Sequence, residues 1–297
     1  MQIFCRTDLA VEDYEREYKE QIKVFDYKDI KVEKVVVDEN LSKKIHKKVG
    51  SYYTITMNTI ILENHDEMDE ITNILNGILK KLFVDMDINL NSKILVVGLG
   101  NEEITPDSLG PNVIKNIYVT NHLYELDKLE ENLGIVSAIA PGVMGQTGME
   151  TSDIIKAITQ KFKPDLILVI DALATRSLHR INRTIQITTA GINPGSGVGN
   201  KRKEISKSVL KTNVIAIGVP TVVDIASIFN DTIKLFNEID DEDLLANYQE
   251  EKIRSTLLEN NRNYMVTHKE IDESMHMFGD IISKAINNTV HNLEQYE

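Results

Sequence analysis

The sequence holds a single cysteine, Cys5, among 297 residues. One thiol closes no internal disulfide and builds no cysteine-based zinc site, so the composition points to a reducing compartment. Long apolar runs are missing as well. Stretches such as Leu166–Ile170 are broken by charge within a few residues, far short of the ~20 apolar residues that cross a bilayer. The N-terminus, Met1-Gln-Ile-Phe-Cys-Arg-Thr-Asp8, has no basic leader and no long apolar segment. No signal peptide, no membrane contact and a cytoplasmic location are therefore expected. The 6 prolines and 15 glycines show no period, which excludes collagen-like and low-complexity chains. Positive charge is in deficit, with 33 Lys+Arg against 46 Asp+Glu and a net charge of −13. Non-specific grip on nucleic acid needs clustered Lys and Arg, so no direct nucleic-acid binding is expected.

What is present is enough apolar material for a real core. Hydrophobic residues make up 42% of the chain, and a chain of this length buries roughly 75% of its unfolded surface. Charge and punctuation are unevenly spread. Between Gly98 and Pro220 there are 12 acidic and 13 basic residues, whereas the rest carries 34 acidic against 20 basic. The same central stretch holds all 6 prolines and 12 of the 15 glycines. Its loops are therefore sharply shaped, and the acidic flanks read as solvated faces that keep the protein soluble.

The periodicities predict the elements. Residues 1–16 read as an extended arm running into a charged helix over 11–24, where opposite charges recur at helical spacing. Val32–Val37 and Tyr53–Ile60 alternate like half-buried strands, and Asp66–Phe83 has the apolar spacing of an amphipathic helix. Short apolar runs then follow at Lys93–Gly98, Ile135–Ile139, Leu166–Ile170, Ile185–Thr188 and Val214–Val219. Such runs suit strands buried on both faces. Helix-like segments lie between them at Asn112–Leu123, Thr151–Phe162 and Ile205–Leu210, and a terminal helix spans Glu270–Leu293. Strand and helix alternate, which predicts an α/β fold: a central, mostly parallel sheet with helices on both faces, added N-terminal strands and a C-terminal helix.

Ligands of open α/β sheets bind beyond the carboxyl ends of the strands. Several loops stand there: Gly98–Pro111 with Asp107, Ala140–Gly148 with Glu150 and Asp153 behind it, Asp171 after the third run, and the Gly-rich Gly191–Gly199. Glu103 stands at the third glycine position of a dinucleotide fingerprint, and no loop ends in Gly-Lys-Ser/Thr. Gly191–Gly199 could form backbone anion nests or a plain tight connection. The histidines, at 46, 65, 122, 179, 268, 276 and 291, leave the loops between 180 and 267 without imidazole, so no dedicated zinc site is expected. No Gly-x-Ser-x-Gly elbow occurs. Two aspartates remain. As a pair, one carboxylate could deprotonate water while the other donates a proton to a carbonyl or leaving amine. Taken singly, Asp107 also reads as a helix N-cap and Asp171 as a turn residue.

Together these loops resemble one family, the germination proteases of spore-forming bacteria, which are atypical aspartic endopeptidases that degrade small acid-soluble spore proteins. The resemblance is carried by Arg6–Glu12, Gly98–Asn101 with Thr105–Pro111, Ala140–Gly148 with Glu150–Asp153, Lys163–Asp165, Ile170–Ala174, Gly191–Glu204 and Gly218–Asp224. It implies a fold related to hydrogenase-maturation endopeptidases, in which two acids and a histidine hold a metal. This chain keeps acids at 107 and 171 without an evident histidine partner, which fits a catalytic Asp107/Asp171 pair needing neither metal nor cofactor. The resemblance further implies a self-processing zymogen, a homotetramer and a place in the spore core, with small acid-soluble spore proteins as substrates. By that analogy the cut falls between Asp8 and Leu9, leaving residues 1–8 as pro-segment and 9–297 as a single endopeptidase domain.

Thr7-Asp-Leu-Ala-Val-Glu12 is itself similar to the acid–apolar–Ala–x–Glu pattern that the family cleaves. An acid before the cut bond calls for a cation in the pocket, and the centre supplies Arg176, Arg180, Lys201, Arg202 and Lys203. Two neighbouring aspartates work as acid and base only while sharing a proton, so mildly acidic pH is expected to favour processing. Two other readings stay open: a metal-dependent maturation-type peptidase of the same fold, and a nucleotide- or anion-binding protein built on Gly191–Gly199.

Overall fold

Apolar runs closed by glycine, proline or acid form the middle of the sheet, and the amphipathic segments cover it. The structure, a computed structural model, describes residues 7–18, 22–27, 30–58, 65–195, 202–229, 231–232, 256–257 and 264–291. In chain order the elements are helix α1 (Ala10–Glu17), strands β1 (Lys23–Tyr27) and β2 (Ile30–Val37), α2 (Glu39–Ile45), β3 (Gly50–Met57), α3 (His65–Asp85), β4 (Lys93–Gly98), a 3-10 turn at Thr105–Asp107, α4 (Leu109–Lys115), α5 (Asn121–Glu125), β5 (Ile135–Ile139), α6 (Met144–Thr147), α7 (Thr151–Phe162), β6 (Leu166–Thr175), β7 (Thr184–Thr188), α8 (Lys207–Leu210), β8 (Asn213–Asp224), β9 (Met265–Val266) and α9 (Ile271–Val290).

Among the described residues the strands join one sheet in the order β1-β2-β3-β7-β8-β6-β4-β5, with β9 paired to β8. The centre, β5-β4-β6-β8, is parallel. β7 runs antiparallel to β8 and hands the sheet on to the antiparallel N-terminal strands. The fold is therefore a mixed α/β sheet whose core is parallel.

Alternation along the strands sorts the two faces. Ile94, Val96, Leu168, Ile170, Ile215 and Ile217 pack with the apolar stripes of α3 and α9. Met275, Phe278, Ile282 and Ile286 of that terminal helix are fully buried, as the spacing predicts. On the opposite face Leu95, Val97, Ile167, Val169 and Val214 pack against Ile155 of α7. Further along this second face, Leu9 and Val11 of the N-terminal arm pack on Leu173.

Several boundaries differ from the sequence-based expectation. The helix expected over 11–24 ends at Glu17, because Lys23–Tyr27 is drawn into pairing with β2. The helix expected over Asn112–Leu123 is two short ones. Between them the Asn287 side chain of α9 accepts from the Tyr118 N–H and donates to the Asn116 carbonyl, taking the backbone groups that a continuous helix would use. Residues 59–60 of the second expected strand and 292–293 of the expected terminal helix lie outside the described residues.

Candidate active site

The site forms where β4 stops and its neighbours continue. β4 ends at Gly98, paired with Ile170 of β6. β6 and β8 stay paired for five residues more, with a bulge between Leu173 and Ala174 opposite Pro220, whose ring has no N–H to give. Asp171 is the first residue of β6 beyond the end of β4. It therefore sits inside a strand, in register with Gly218, rather than in the turn expected from its sequence neighbours.

Asp107 arrives from the loop that leaves β4. The Asn101 N–H donates to its Oδ2 and to its main-chain carbonyl, both at 3.0 Å, which folds the loop back on itself. Gly100, at φ +107, lies so close to the Asp107 carbonyl that a Cβ there would overlap it, so this turn requires glycine. Gly110 likewise lets the start of α4 press against the Leu99 backbone. The Thr221 hydroxyl of β8 donates to the Pro106 carbonyl at 2.6 Å and pins the turn to the sheet. Ser108, not Asp107, occupies the N-cap of α4, so the capping role considered for Asp107 does not hold.

Both carboxylates line one cleft of about 370 Å³. Asp8, Gly142, Val143, Ala174, Arg202 and Thr267 also line it. Asp171 is 5% exposed. Burial above all, then the charges of Asp107 and Asp8, hold its carboxyl well above the ordinary value, against the pull of the Ala172 N–H and Arg202. Burial also pushes Asp107 up, and the Asn101 N–H and Arg202 oppose it. Both acids thus hold their protons more tightly than usual, and the charge of Asp107 contributes to the rise at Asp171.

The N-terminal arm runs into this cleft. The Asp8 N–H donates to the Ala174 carbonyl at 3.0 Å, and the Ala174 N–H donates to Asp8 Oδ2 at 2.9 Å. The Gln186 side chain of β7 donates to the Asp8 carbonyl at 3.2 Å and accepts from the Ala10 N–H at 2.7 Å. Lys47 donates to the Thr7 carbonyl at 2.7 Å. Leu9, Ala10 and Val11 are fully buried.

Four residues on, Glu12 is held in a cradle at the end of β6. It accepts from the Thr175 hydroxyl, from the Arg176 N–H at 3.0 Å and from the Ser177 N–H at 3.2 Å. The Arg176 and Arg180 side chains stand 3.8 Å and 4.0 Å from its carboxylate.

The candidate cations thus divide. Arg202 lines the cleft with Asp8 and both candidate catalytic acids. Arg176 lies on Glu12 and Asp13, Arg180 on Glu12, Glu15 and Glu33, and Lys203 on Asp153. Lys201, residues 1–6 and residues 196–199 of the Gly-rich loop lie outside the described residues. Sequence reasoning missed Gln186 and the Thr175–Ser177 cradle. The one available signal for Gln186 was an amide between two isoleucines in a strand otherwise suited to burial.

Among the described residues no group of three or more His, Cys, Asp or Glu side chains is arranged to hold a metal. Asp8, Asp107 and Asp171 line one cleft but are not arranged as the tetrahedral or octahedral sets that divalent metals take. No helix of the described residues is long and apolar enough to cross a membrane.

The family model for germination protease matches residues 6–242. A germination protease of Geobacillus sp. (strain WCH70) is 48% identical over 249 residues, covering 77% of this chain and 66% of that protein. One from Bacillus cereus (strain AH187) is 46% identical over 240 residues, covering 77% and 65%. One from Oceanobacillus iheyensis is 39% identical over 344 residues, covering 96% and 94%. The chain thus spans just under two thirds of the first two relatives and nearly all of the third. Among solved structures, the chain is similar to the NiFe hydrogenase maturation protease HycI from Thermococcus kodakarensis KOD1, at 16% identity and TM-score 0.35, over 71% of this chain and 99% of that one. With one match running through the arm, both aspartate loops and the sheet between them, this chain belongs to the germination protease family.

Proposed function

We propose that this chain is an endopeptidase, made as a zymogen, that cuts its own Asp8–Leu9 bond and then starts the degradation of small acid-soluble spore proteins during germination. In this reading residues 1–8 are the pro-segment, 9–297 form the endopeptidase domain, and the protein works as a homotetramer in the spore core. The observation that carries the reading is that Asp107 and Asp171, both with carboxyls raised by burial, share a cleft that also holds Asp8.

The chemistry follows from that pair. The shared proton rests on Asp171, the more deeply buried of the two, and Asp107 is ionised. Asp107 takes a proton from water as the hydroxyl adds to the carbonyl carbon. Asp171 gives its proton towards the leaving nitrogen as the C–N bond breaks, and the pair ends one proton transfer from its starting state. Arg202 supplies the positive charge that reads the acid before the cut bond. Relatives named germination protease, to which this chain is 39–48% identical, support a peptidase with protein substrates and a role in germination.

The test is incubation of the purified protein with a small acid-soluble spore protein, with and without EDTA, followed by sequencing of the fragments. The reading predicts cleavage after an acidic residue that survives the chelator. Loss of cleavage with EDTA favours a metal-dependent peptidase, and nucleotide affinity without cleavage favours a binding protein.

A further inference from the structure

The sheet places three residues of neighbouring strands in one row: Gln186 of β7 is in register with Gly218 of β8, which is in register with Asp171 of β6. Residues in register point to the same face, and here it is the face that carries the arm. Strands lie about 4.8 Å apart, so Gln186 and Asp171 are roughly 10 Å apart across the row. Gly218 has no side chain of its own, and the Leu173 side chain packs over it between the two. The arm lies on this face, held at Asp8 by Ala174 on the β6 side and by Gln186 on the β7 side.

Gln186 is 5% exposed, and its amide grips main chain on both sides of Leu9. Its Nε2 donates to the Asp8 carbonyl at 3.2 Å, and its Oε1 accepts from the Ala10 N–H at 2.7 Å. Both contacts are to backbone, so they hold whatever the side chains of a substrate are. The carbonyl it touches is the one that gains negative charge when water adds to the Asp8–Leu9 bond.

We propose that Gln186 is a further catalytic residue: a buried amide that docks the peptide by accepting from the N–H two residues past the acid, and that stabilises the oxyanion by donating to the carbonyl of the cut bond. This rests on the processing reading above, in which Asp8–Leu9 is the bond cut. Gln186 lines a neighbouring cavity that shares Asp8 and Leu173 with the aspartate cleft, and a neutral donor on a buried side chain suits the task, because it needs no reorganisation as charge develops. The proton budget of the aspartate pair is untouched, since the amide lends a hydrogen bond and transfers nothing.

Two variants separate the donor from the acceptor. Gln186→Met loses both. Gln186→Glu keeps an oxygen for the Ala10 N–H but, once ionised, has no proton to offer the Asp8 carbonyl. The full-length chain is followed by N-terminal sequencing for the rate of self-cutting and by amide hydrogen exchange over residues 8–12 for docking. Loss of one oxyanion donor slows such reactions roughly 100- to 1000-fold, so both variants are expected to cut at least about 100-fold slower than wild type at neutral pH, with Gln186→Glu retaining protection at Ala10. Either variant cutting at the wild-type rate overturns the inference. Slow cutting by Gln186→Glu that merely follows lost protection at Ala10 overturns the donor role as well. A wild-type chain that never yields Leu9 as its new N-terminus sinks the processing reading itself, a result distinct from a wild-type chain that is cut while the variants keep pace.

Discussion

Asp171 pays for its position in stability. An acid whose pKa in the folded chain lies above its unfolded value has its stabilising effect in full below the unfolded pKa, and loses it as pH rises through the folded one. The raised Asp171 carboxyl must therefore oppose folding increasingly as pH climbs above about 3.9, the unfolded value for aspartate. Asp171→Asn removes that opposition. It is expected to abolish cleavage, to raise Tm at neutral and alkaline pH, and to lose the gain as pH falls towards 4, which thermal melts across pH will read. Arg202 gives a second prediction at this scale. Asp8→Ala should stop self-cutting, and Asp8→Lys should regain part of it when combined with Arg202→Glu, as gel analysis of the processed band will show. The two aspartates were legible in the sequence, Asp107 as an acid in a Gly- and Pro-rich loop and Asp171 as an acid closing an apolar run. Their environment was not: the end of β4 at Gly98 could be read from its apolar run, but nothing local says that β6 and β8 run on past Ile170 and Val219, leaving Asp171 within a strand and yet at the edge of an opening. Gln186 was hidden for a related reason: its role depends on a partner 178 residues away in the chain.

The arm and α1 act as one element, fixed at both ends. Asp8 is tied to β6, and Glu12, 6% exposed, is tied to the start of the loop that follows. Removing one partner of a buried charged cluster costs roughly 3–5 kcal/mol, because the opposite charges are left without their counterion. Glu12→Ala should accordingly loosen the arm by about 3 kcal/mol. Hydrogen exchange at residues 9–11 should then quicken on the order of 100-fold, with slower self-cutting alongside. Elements with strong internal periodicity were legible from their own residues: α7 spans Thr151–Phe162 as the pattern predicts, and the stripe of α9 is buried as expected. The failures share one cause, tertiary pairing that overrides local preference. β1 cuts the first helix short, and Asn287 of α9 breaks the helix expected after Pro111.

At the scale of the molecule, the acidic flanks and the near-neutral centre divide the work. The centre supplies the loops that meet at the carboxyl ends of β4, β6 and β8, and the arm closes over them from the other end of the chain. In the proposed mechanism the pair holds one proton at lower pH and gives it up as pH rises, in the direction of both raised carboxyls. Self-cutting is therefore expected to run faster at mildly acidic than at alkaline pH, and time courses across that range will check it. The proposed joint activation of water by Asp107 and Asp171 against the Asp8–Leu9 bond is decided by incubating full-length wild type, Asp107→Asn and Asp171→Asn side by side at mildly acidic pH and sequencing the N-terminus of each. Leu9 is expected as the new first residue of the wild type, with both variants folded and uncut. Cutting of either variant at the wild-type rate would overturn that assignment.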